Sequence, residues 1–346
     1  MLQSWRAETR TNAAPLSPGA LHAGTWIAFL MLALQPLVTH AQITPDQANQ
    51  IRNAIGNRVE ALAILAGDYG ITGGDFRTTG KFEGNETIDA EMVVTKLGGA
   101  GDFGMPRPVG DLGIGWQGRL QGNMGYVEAT NRLHSPLLEG DVNNFKEYAL
   151  EFGGGARFWL SDGLSLAPTV LGIYGHTVNS YTANSPFMQA NFVRAIDMGL
   201  VNWSVDTWTL RTAINIQYLI TWDRTRIKLS SEPTYYHTES FNSSNANVSL
   251  SGDSHSIATT IDIDVPLGVE LFGHELRSGG AFERTDLFGD LRSDLEVSHI
   301  DEVKGRVVLD FLNELWKVQW IGVSASYAWG TKFSGWTAGL DVVFRF

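Results

Sequence analysis

The sequence predicts an all-β fold, a transmembrane antiparallel β-barrel of about twelve strands with an N-terminal α-helix in its lumen. Three observations support this prediction. Hydrophobic residues make up 43% of the 346 residues, yet no uninterrupted apolar run reaches the ~18 residues of a membrane-spanning helix. Apolar and polar residues instead alternate over many short segments, as in strands with one lipid-facing side. An apolar segment near the N-terminus has the form of a secretory signal.

The last eleven residues form the clearest predicted strand. One alternating set of positions is wholly apolar and consists of Trp336, Ala338, Leu340, Val342, Phe344 and Phe346. The sequence ends at Phe346, so we expect lipid rather than further protein to cover this face. A terminal aromatic residue on such a strand resembles the assembly signal of bacterial outer-membrane barrels. That signal is assigned to Trp336, Leu340, Val342, Phe344 and Phe346.

Residues 1–41 are predicted to be a signal peptide. Residues 26–38 are mostly apolar, and Thr39 and Ala41 are small residues at positions −3 and −1 of a cleavage site before Gln42. The alternative is a membrane anchor, which the short run of about 13 residues disfavours. Cleavage removes two arginines and one glutamate, so 25 basic and 37 acidic residues become 23 and 36, a net charge of −13. This acidic balance disfavours a nucleic-acid partner.

A helix is predicted from about residue 45 to residue 66, within an N-terminal segment 42–68. Thr44 is a suitable cap, Pro45 suits the first helical position, and Gln47 completes a capping box. Apolar residues then recur at spacings of three and four, at Ala48, Ile51, Ile55, Val59, Leu62 and Ala66. Asn53 and Asn57 lie on another face, which we expect to contact lumen water. At 1.5 Å per residue the helix is roughly 33 Å long, about the thickness of a bilayer core.

The barrel is predicted to occupy residues 69–346. Its strands are expected near residues 72–82, 86–97, 112–127, 145–160, 163–175, 192–203, 208–226, 252–265, 273–286, 298–312, 316–330 and 335–346. An even strand number puts both barrel ends on the periplasmic side. Periplasmic turns are expected at 161–163, 204–206 and 313–314, and extracellular loops at 128–144, 176–191, 227–251 and 287–297. The predicted turn at 98–111 is long for the periplasmic side.

One predicted strand changes phase. Lys317 and Gln319 share parity with the apolar Ile321, which predicts a β-bulge near Trp320. The alternative is that Lys317 extends its ammonium group to the periplasmic interface.

The alternation also predicts which charged side chains face the lumen. The candidates are Arg119, Glu147, Glu151, Arg157 and Arg211. We expect them to pair with the N-terminal helix or with each other. Their first effect is to make a wet lumen polar, and their second is to set ion selectivity if the pore opens.

One helix followed by about twelve strands and a terminal aromatic residue resembles the translocator domain of autotransporters. The proline-containing segment 166–174 is also similar to a strand of that family, and the resemblance covers about residues 42–346. It implies a helix that threads the lumen, the outer membrane of a Gram-negative bacterium, contact with outer-membrane lipid and lipopolysaccharide, and insertion by the barrel-assembly machinery. Only Gln42 and Ile43 precede Thr44, so the chain is identified as a member of the solitary autotransporter-like barrel family, a translocator domain without a passenger. A monomer is expected.

Three functions remain open, in decreasing order of support. The first is a structural or channel role with the helix in the pore. The second is surface recognition, as an adhesin or receptor, through loops such as 227–251 with its aromatic Tyr235 and Phe241. The third is an outer-membrane hydrolase, with His176 and Ser180 or the run 253–256 as candidate groups. Because the sequence has no Gly-x-Ser-x-Gly motif and no cysteine, no catalytic residue, cofactor or metal site is predicted.

Overall fold

The computed structural model describes residues 43, 72–78, 88–108, 114–134, 138–295, 297–311, 318–331 and 334–344. The predicted signal peptide with its cleavage site at Ala41 and Gln42, the predicted helix with Asn53 and Asn57, and Phe346 lie outside these residues. So do the side chains of Val342 and Phe344, whose backbone is described. Within the described ranges, no helix has the length and apolar character needed to cross a membrane.

The described residues form a closed barrel with two short helices. Its twelve strands are β1 (Thr72–Thr78), β2 (Ile88–Pro108), β3 (Gly115–Leu133), β4 (Val142–Trp159), β5 (Leu164–Thr182), β6 (Ser204–Trp222), β7 (Thr225–Ser243), β8 (Ser251–Leu271), β9 (His274–Gly289), β10 (His299–Asp310), β11 (Val318–Gly330) and β12 (Ser334–Phe344). The helices are α1 (Pro186–Asp197) and α2 (Asp290–Leu295). Every strand pairs antiparallel with the next, and β1 pairs with β12 to close the barrel. The predicted all-β barrel is confirmed.

The connections differ between the two ends of the barrel. At one end, which we name the turn end, residues 160–163, 223–224 and 272–273 join β4–β5, β6–β7 and β8–β9. Phe272 and Gly273 both have positive φ values, 56° and 81°, as a type I′ hairpin turn requires. At the other end, the loop end, the connections 134–141, 183–203, 244–250 and 290–298 are longer. β1 runs towards the loop end and β12 runs back to the turn end.

The outer surface is an apolar band between aromatic side chains. On β6, Leu210, Ile214 and Ile216 are exposed outwards, with Trp208 towards the loop end and Tyr218 towards the turn end. These two aromatic residues are ten positions apart, roughly 33 Å along the strand and roughly 25 Å along the axis of a barrel whose strands tilt by ~40°. That height matches the apolar band of outer-membrane barrels. On β12, Trp336 and Leu340 are exposed on the same outer side, whereas their assembly role stays a prediction.

The predicted β-bulge in β11 is confirmed. The register between β11 and β12 shifts between Val318 and Trp320, and it is regular from Trp320 to Trp329. A bulge inserts one extra residue into a strand, so the pairing with β12 resumes although the sequence alternation changes phase.

Two predicted assignments near residue 200, one strand and one turn, are wrong. Residues 192–203, predicted as a strand, belong partly to α1 and partly to the connection that follows it. Ser185 caps this helix through its side chain and Pro186 occupies its first turn, a helix-start pattern that outweighs local alternation. Consequently residues 204–206, predicted as a periplasmic turn, form the start of β6 at the loop end.

The predicted long loop at 227–251 is also wrong, because most of it is β7. This strand was missed since its outer side includes Ser231 and Pro233 and its lumen side carries Arg226, Lys228 and Glu232. Neither side gives a clean apolar alternation. The predicted turn at 98–111 is shorter than expected for a similar reason, as β2 continues to Pro108 through a Gly-rich segment.

Candidate functional site: the barrel lumen and its cap

The lumen wall carries side chains of opposite character in its two halves. Most of the paired charged side chains lie in the half nearest the turn end, and a buried apolar cluster lies in the half nearest the loop end, which also carries Glu147 and the cross-strand pair Glu283 and Glu302. All five charged residues predicted to face inwards do so, namely Arg119, Glu147, Glu151, Arg157 and Arg211. Their contacts divide them among separate groups.

The first group lies on β2 to β5 near the turn end. Asp102 accepts hydrogen bonds from Arg119 Nη1 at 2.9 Å and from Arg157 Nε at 2.7 Å. Arg157 Nη1 also donates to Ser165 Oγ at 2.7 Å, and its guanidinium lies 5.6 Å from the centre of the Trp159 ring. One carboxylate therefore holds two arginines from two strands against the wall.

The second group lies at mid-height on β4, β6 and β7. The buried Arg211 bridges two carboxylates, donating through Nη1 to Glu151 at 2.9 Å and through Nη2 to Glu232 at 2.8 Å. Asn215 Nδ2 donates to the other oxygen of Glu232 at 3.0 Å. The group thus crosses β5 and ties together strands that are not direct neighbours.

The third group lies on β7 to β10 near the turn end. Arg277 is only 2% exposed and pairs with Asp264 at 2.5 Å and with Glu275 at 2.9 Å. Arg306 pairs with both oxygens of Asp262, at 2.8 and 3.0 Å. Two further cations complete the group, as Arg226 pairs with Asp310 and Lys228 pairs with Asp262. Planar guanidinium groups suit this bidentate, partly buried pairing.

The fourth group holds the last strand from the lumen side. Asp341 on β12 pairs with Lys304 Nζ on β10 at 2.9 Å and accepts a hydrogen bond from Trp320 Nε1 on β11 at 2.9 Å. The guanidinium of Arg306 lies 5.6 Å from the centre of the Trp320 ring. The bulge at Trp320 therefore directs an aromatic side chain into this lumen contact.

Positive and negative charges balance across these four groups. They contain eight cations (Arg119, Arg157, Arg211, Arg226, Lys228, Arg277, Lys304 and Arg306) and eight carboxylates (Asp102, Glu151, Glu232, Asp262, Asp264, Glu275, Asp310 and Asp341). Each charge in these groups is close to an opposite one, so the net field of the four groups is small. The arrangement stabilises the wall more readily than it attracts one sign of ion.

Glu147 stands apart from these groups. It is 0% exposed and lies among apolar lumen side chains, including Val127 and Phe145. Its Oε2 accepts a hydrogen bond from Thr177 Oγ1, while its Oε1 has no hydrogen-bond partner within the described ranges. Of the five predicted lumen charges, Glu147 alone has no partner of opposite charge among the ion pairs of the described residues.

A cap covers the apolar half of the wall. We define the cap as residues 183–203, which contain α1, together with residues 244–250. Trp203 of the cap packs against the lumen-facing Phe145, with ring centres 6.1 Å apart. Val248 packs in the same buried cluster with Val205. The cap thus folds inwards onto the wall.

The N-terminal end of α1 is fastened by a single buried carboxylate. Asp141, in the connection between β3 and β4, accepts hydrogen bonds from the backbone N–H groups of Asn184 and Ser185, both at 2.6 Å. It also accepts from Ser185 Oγ and from Tyr181 Oη, each at 2.7 Å. A carboxylate at a helix N-terminus is favoured by the helix dipole, so this contact stabilises the cap.

The C-terminal end of α1 is fastened by two asparagines of the cap's other segment. Asn245 Nδ2 donates to the carbonyl oxygen of Ile196 at 2.7 Å, and Asn247 Nδ2 donates to that of Asp197 at 3.0 Å. The carbonyl oxygen of Ile196 also accepts the backbone N–H of Gly199 at 2.9 Å, so Asn245 adds a second hydrogen bond to it. Two neighbouring connections at the loop end, 134–141 and 244–250, therefore hold α1 at its two ends.

The underside of α1 forms an apolar pocket. Its fully buried members are Met188 and Ala195 of the helix, Leu200 and Val201 after it, and Ile43. Ile43 is 2% exposed and belongs to the segment that precedes the barrel. This places the start of that segment at the loop end.

The predicted hydrolase candidates are not brought together as a catalytic pair. His176 and Ser180 lie on the outer side of β5, four residues and about 13 Å apart. His176 Nδ1 instead contacts Asp206 at 2.6 Å. In the run 253–256, Ser254 and Ser256 are buried towards the lumen while Asp253 and His255 are on the outer side. The described residues contain no group of three or more His, Asp or Glu side chains suited to a metal ion.

Three residues that organise the lumen and the cap were not predicted. Asp102 lay within a predicted turn, Asp141 within a predicted loop, and Ile43 beside the predicted cleavage site. Asp102 could have been found from the alternation, because it lies an even number of residues after the inward positions of β2. Neither the alternation nor any motif indicates the role of Asp141 or Ile43, because each depends on contacts distant in sequence.

Comparisons with known proteins agree with this architecture. Solved structures similar to this chain include the β domain of the Bordetella autotransporter BrkA, with 14% identity, a TM-score of 0.50, and coverage of 80% of this chain and 97% of that one. The transport unit of the autotransporter AIDA-I from Escherichia coli is also similar, with 10% identity, a TM-score of 0.53, and coverage of 84% and 99%. At such identities these likenesses show the fold alone.

The family comparison is more specific. A search of curated proteins finds no match to the chain. Residues 109–346, from the end of β2 to the C-terminus, match the model of the solitary outer membrane autotransporter beta-barrel domain. That match covers more than half of the chain and contains both the lumen groups on β3 to β12 and the cap. The chain therefore belongs to the solitary outer membrane autotransporter β-barrel family, and it is an outer-membrane barrel of the autotransporter translocator type.

Proposed function

We propose that this protein is a non-enzymatic outer-membrane barrel with a structural or channel role, whose pore is occupied by residues 45–66 as a helix. The observation that carries the proposal is the position of the two ends of that segment. Ile43 is buried at the loop end, and β1 begins at Thr72 and runs towards the loop end. The intervening residues must therefore return from the loop end before they enter β1. A path through the lumen keeps their backbone out of the lipid.

The dimensions and charges of the lumen support the same proposal. A helix of 22 residues is roughly 33 Å long, enough to pass through the bilayer core. The wall side chains of an eight-stranded barrel can fill its interior. A barrel of twelve strands is wider, so its wall side chains leave space in the lumen. Since the charges of the four groups are already paired with each other, a helix with few charges of its own suits the remaining space.

The compartment implies further partners. In an outer-membrane barrel the turn end faces the periplasm and the loop end faces outwards. We propose that a signal peptide is cleaved between Ala41 and Gln42, that the barrel-assembly machinery inserts the chain as a monomer, and that the outer aromatic band contacts lipid and lipopolysaccharide. Mass spectrometry of the purified membrane protein tests the cleavage, and an intact N-terminus at Met1 would contradict it.

Conductance in planar bilayers tests the helix. The full chain is expected to be nearly closed, and a variant that lacks residues 42–66 is expected to pass a clearly larger current. A control with Asn53→Gln and Asn57→Gln keeps the polar face of the helix and is expected to remain closed. Equal currents from the full chain and the deletion variant would remove the proposed plug.

Surface recognition is the second candidate. The supporting observation is that α1 is held rigidly at the loop end while Val193 on its outer side is 73% exposed. A large exposed apolar side chain on a rigid element is a common feature of contact surfaces. Binding of intact cells to host cells or to lipopolysaccharide, compared with a Val193→Asp variant, tests this role. Identical binding by both variants would count against α1 as the contact.

A further inference from the structure

We propose that the apolar pocket under α1 is a binding site for the chain's own N-terminal segment, and that Ile43 in this pocket locks the cap over the lumen. The proposal rests on the proposed function, in which the same segment occupies the pore. It adds a second closure at the loop end, and it assigns that closure to one aliphatic side chain.

The pocket is suited to an aliphatic side chain and to little else. Ile43 shares one buried apolar cluster with Met188, Ala195, Leu200 and Val201, and each of these four residues is at most 6% exposed. A charged side chain at position 43 would be buried among these groups without an opposite charge, which is strongly unfavourable. The methyl side chain of Ala195 leaves room on the helix surface for a branched neighbour.

The middle of α1 depends on this contact because the polar attachments of the helix lie at its two ends. Asp141 fastens the beginning of α1, and Asn245 and Asn247 fasten its end. A helix of 12 residues is marginally stable alone, so its middle requires a packed underside. Ile43 supplies part of that underside from a segment outside the barrel. Removal of Ile43 therefore loosens the helix where the edge contacts do not hold it.

The lock also couples the two closures. Ile43 is two residues before Pro45, where the predicted helix begins. Under the proposed function the same segment continues into the lumen, so its displacement is expected to withdraw Ile43 from its pocket, and opening of the cap is expected to free the end of the segment. The cap and the plug accordingly open together rather than one at a time.

Thiol labelling on intact cells tests the lock. The chain has no cysteine, so Ala195→Cys introduces a single reporter in the pocket, where the native side chain is 0% exposed. A membrane-impermeant maleimide is expected to label it slowly in the otherwise native chain and roughly tenfold or more faster when combined with Ile43→Asp. Ile43→Leu keeps an aliphatic side chain and is expected to preserve slow labelling. Heat-modifiable migration on a gel selects the folded barrels.

Two controls keep the result interpretable. Val193→Cys, on the outer side of α1, is expected to be labelled rapidly whether or not Ile43 is replaced. Val193→Asp combined with Ala195→Cys adds a charge to the same helix away from the pocket and is expected to leave labelling slow. If Ile43→Asp does not yield a folded barrel, Ile43→Ala removes the contact without a buried charge and is expected to raise the labelling rate less strongly.

The outcomes separate the lock from the plug. Unchanged protection of the thiol at position 195 in folded Ile43→Asp and Ile43→Ala variants would overturn the lock. The plug would still stand if deletion of residues 42–66 raised the current. Conversely, equal currents with rapid labelling of the Ile43→Asp variant would remove the plug and leave the lock.

Discussion

The two halves of the lumen wall are held together by different physical means. Near the turn end, the wall is stabilised by ion pairs between strands, such as Arg277 with Asp264 and Arg211 with Glu151. Near the loop end, apolar side chains such as Phe145 and Val205 are covered by the cap. The charged half is therefore stabilised by contacts within the wall itself. The apolar half is covered by a separate element, the cap, which can move away without breaking the barrel.

The largest expected effect is in the charged half. Arg277→Ala removes a buried cation and leaves Asp264 and Asp310 close together without it. The free energy of unfolding is expected to fall by about 3–5 kcal/mol. Urea-induced unfolding in detergent or lipid measures this loss. Arg284→Ala removes an exposed arginine from the outer side of the same strand and is expected to cost less than about 1 kcal/mol. Similar losses from both variants would contradict the distinction between wall and surface pairs.

The cap is expected to respond locally rather than globally. Asp141→Ala leaves the backbone N–H groups of Asn184 and Ser185 without their acceptor. Each N–H group that stays buried without a partner destabilises the cap by about 1–3 kcal/mol. Hydrogen exchange in α1 is expected to accelerate, while the urea midpoint of the barrel changes little. Glu139→Ala, an exposed change in the same connection, is the control. A large fall in the urea midpoint for Asp141→Ala would show that the cap and the wall unfold as one unit.

A smaller effect is expected at the last strand. Asp341→Asn keeps the size of the side chain but weakens its pairing with Lys304 and Trp320, so the free energy of unfolding is expected to fall by about 1–2 kcal/mol. The loss of stability is measured as a fall in the temperature at which the band of the folded barrel disappears from a gel. Asp286→Asn, which alters an exposed pair on the outer side, is expected to leave that temperature unchanged. No difference between the two variants would mean that the lumen contact does not stabilise β12.

The smallest effect is expected on the outer side of α1. Val193→Asp changes a side chain that is 73% exposed, so the free energy of unfolding and the exchange rates of α1 are expected to stay within about 0.5 kcal/mol of the native values. The same hydrogen-exchange experiment measures it. A clear acceleration of exchange would show that this side of the helix also carries part of the cap's stability.

The success of sequence reasoning also differs between the two halves. Alternation was sufficient to predict that Arg119, Arg157 and Arg211 face inwards, because a strand fixes the side of every second residue. It was also sufficient for the bulge near Trp320. It failed for β7, where both sides carry polar residues. The partners of the inward arginines, such as Asp102, depend on strand register, which alternation alone does not give.

The cap was beyond sequence reasoning for a different reason. Its helix has a recognisable start pattern in Ser185 and Pro186, but the residues that follow predict a strand by their alternation. Its position over the lumen depends on Asp141, Asn245 and Ile43, which come from three other parts of the chain. No local pattern relates such residues to each other.

The fastening of α1 by neighbouring connections has a practical consequence for protein engineering. An epitope inserted into the connection that holds Asp141, or into the one that holds Asn245 and Asn247, would disturb a helix that belongs to neither. Transplantation of this cap onto another barrel would accordingly require all of these connections at once, with the strand spacing that separates them. Peptides for cell-surface display are better attached to the side chain at position 193, because Val193 is exposed and the packing of the cap does not depend on it.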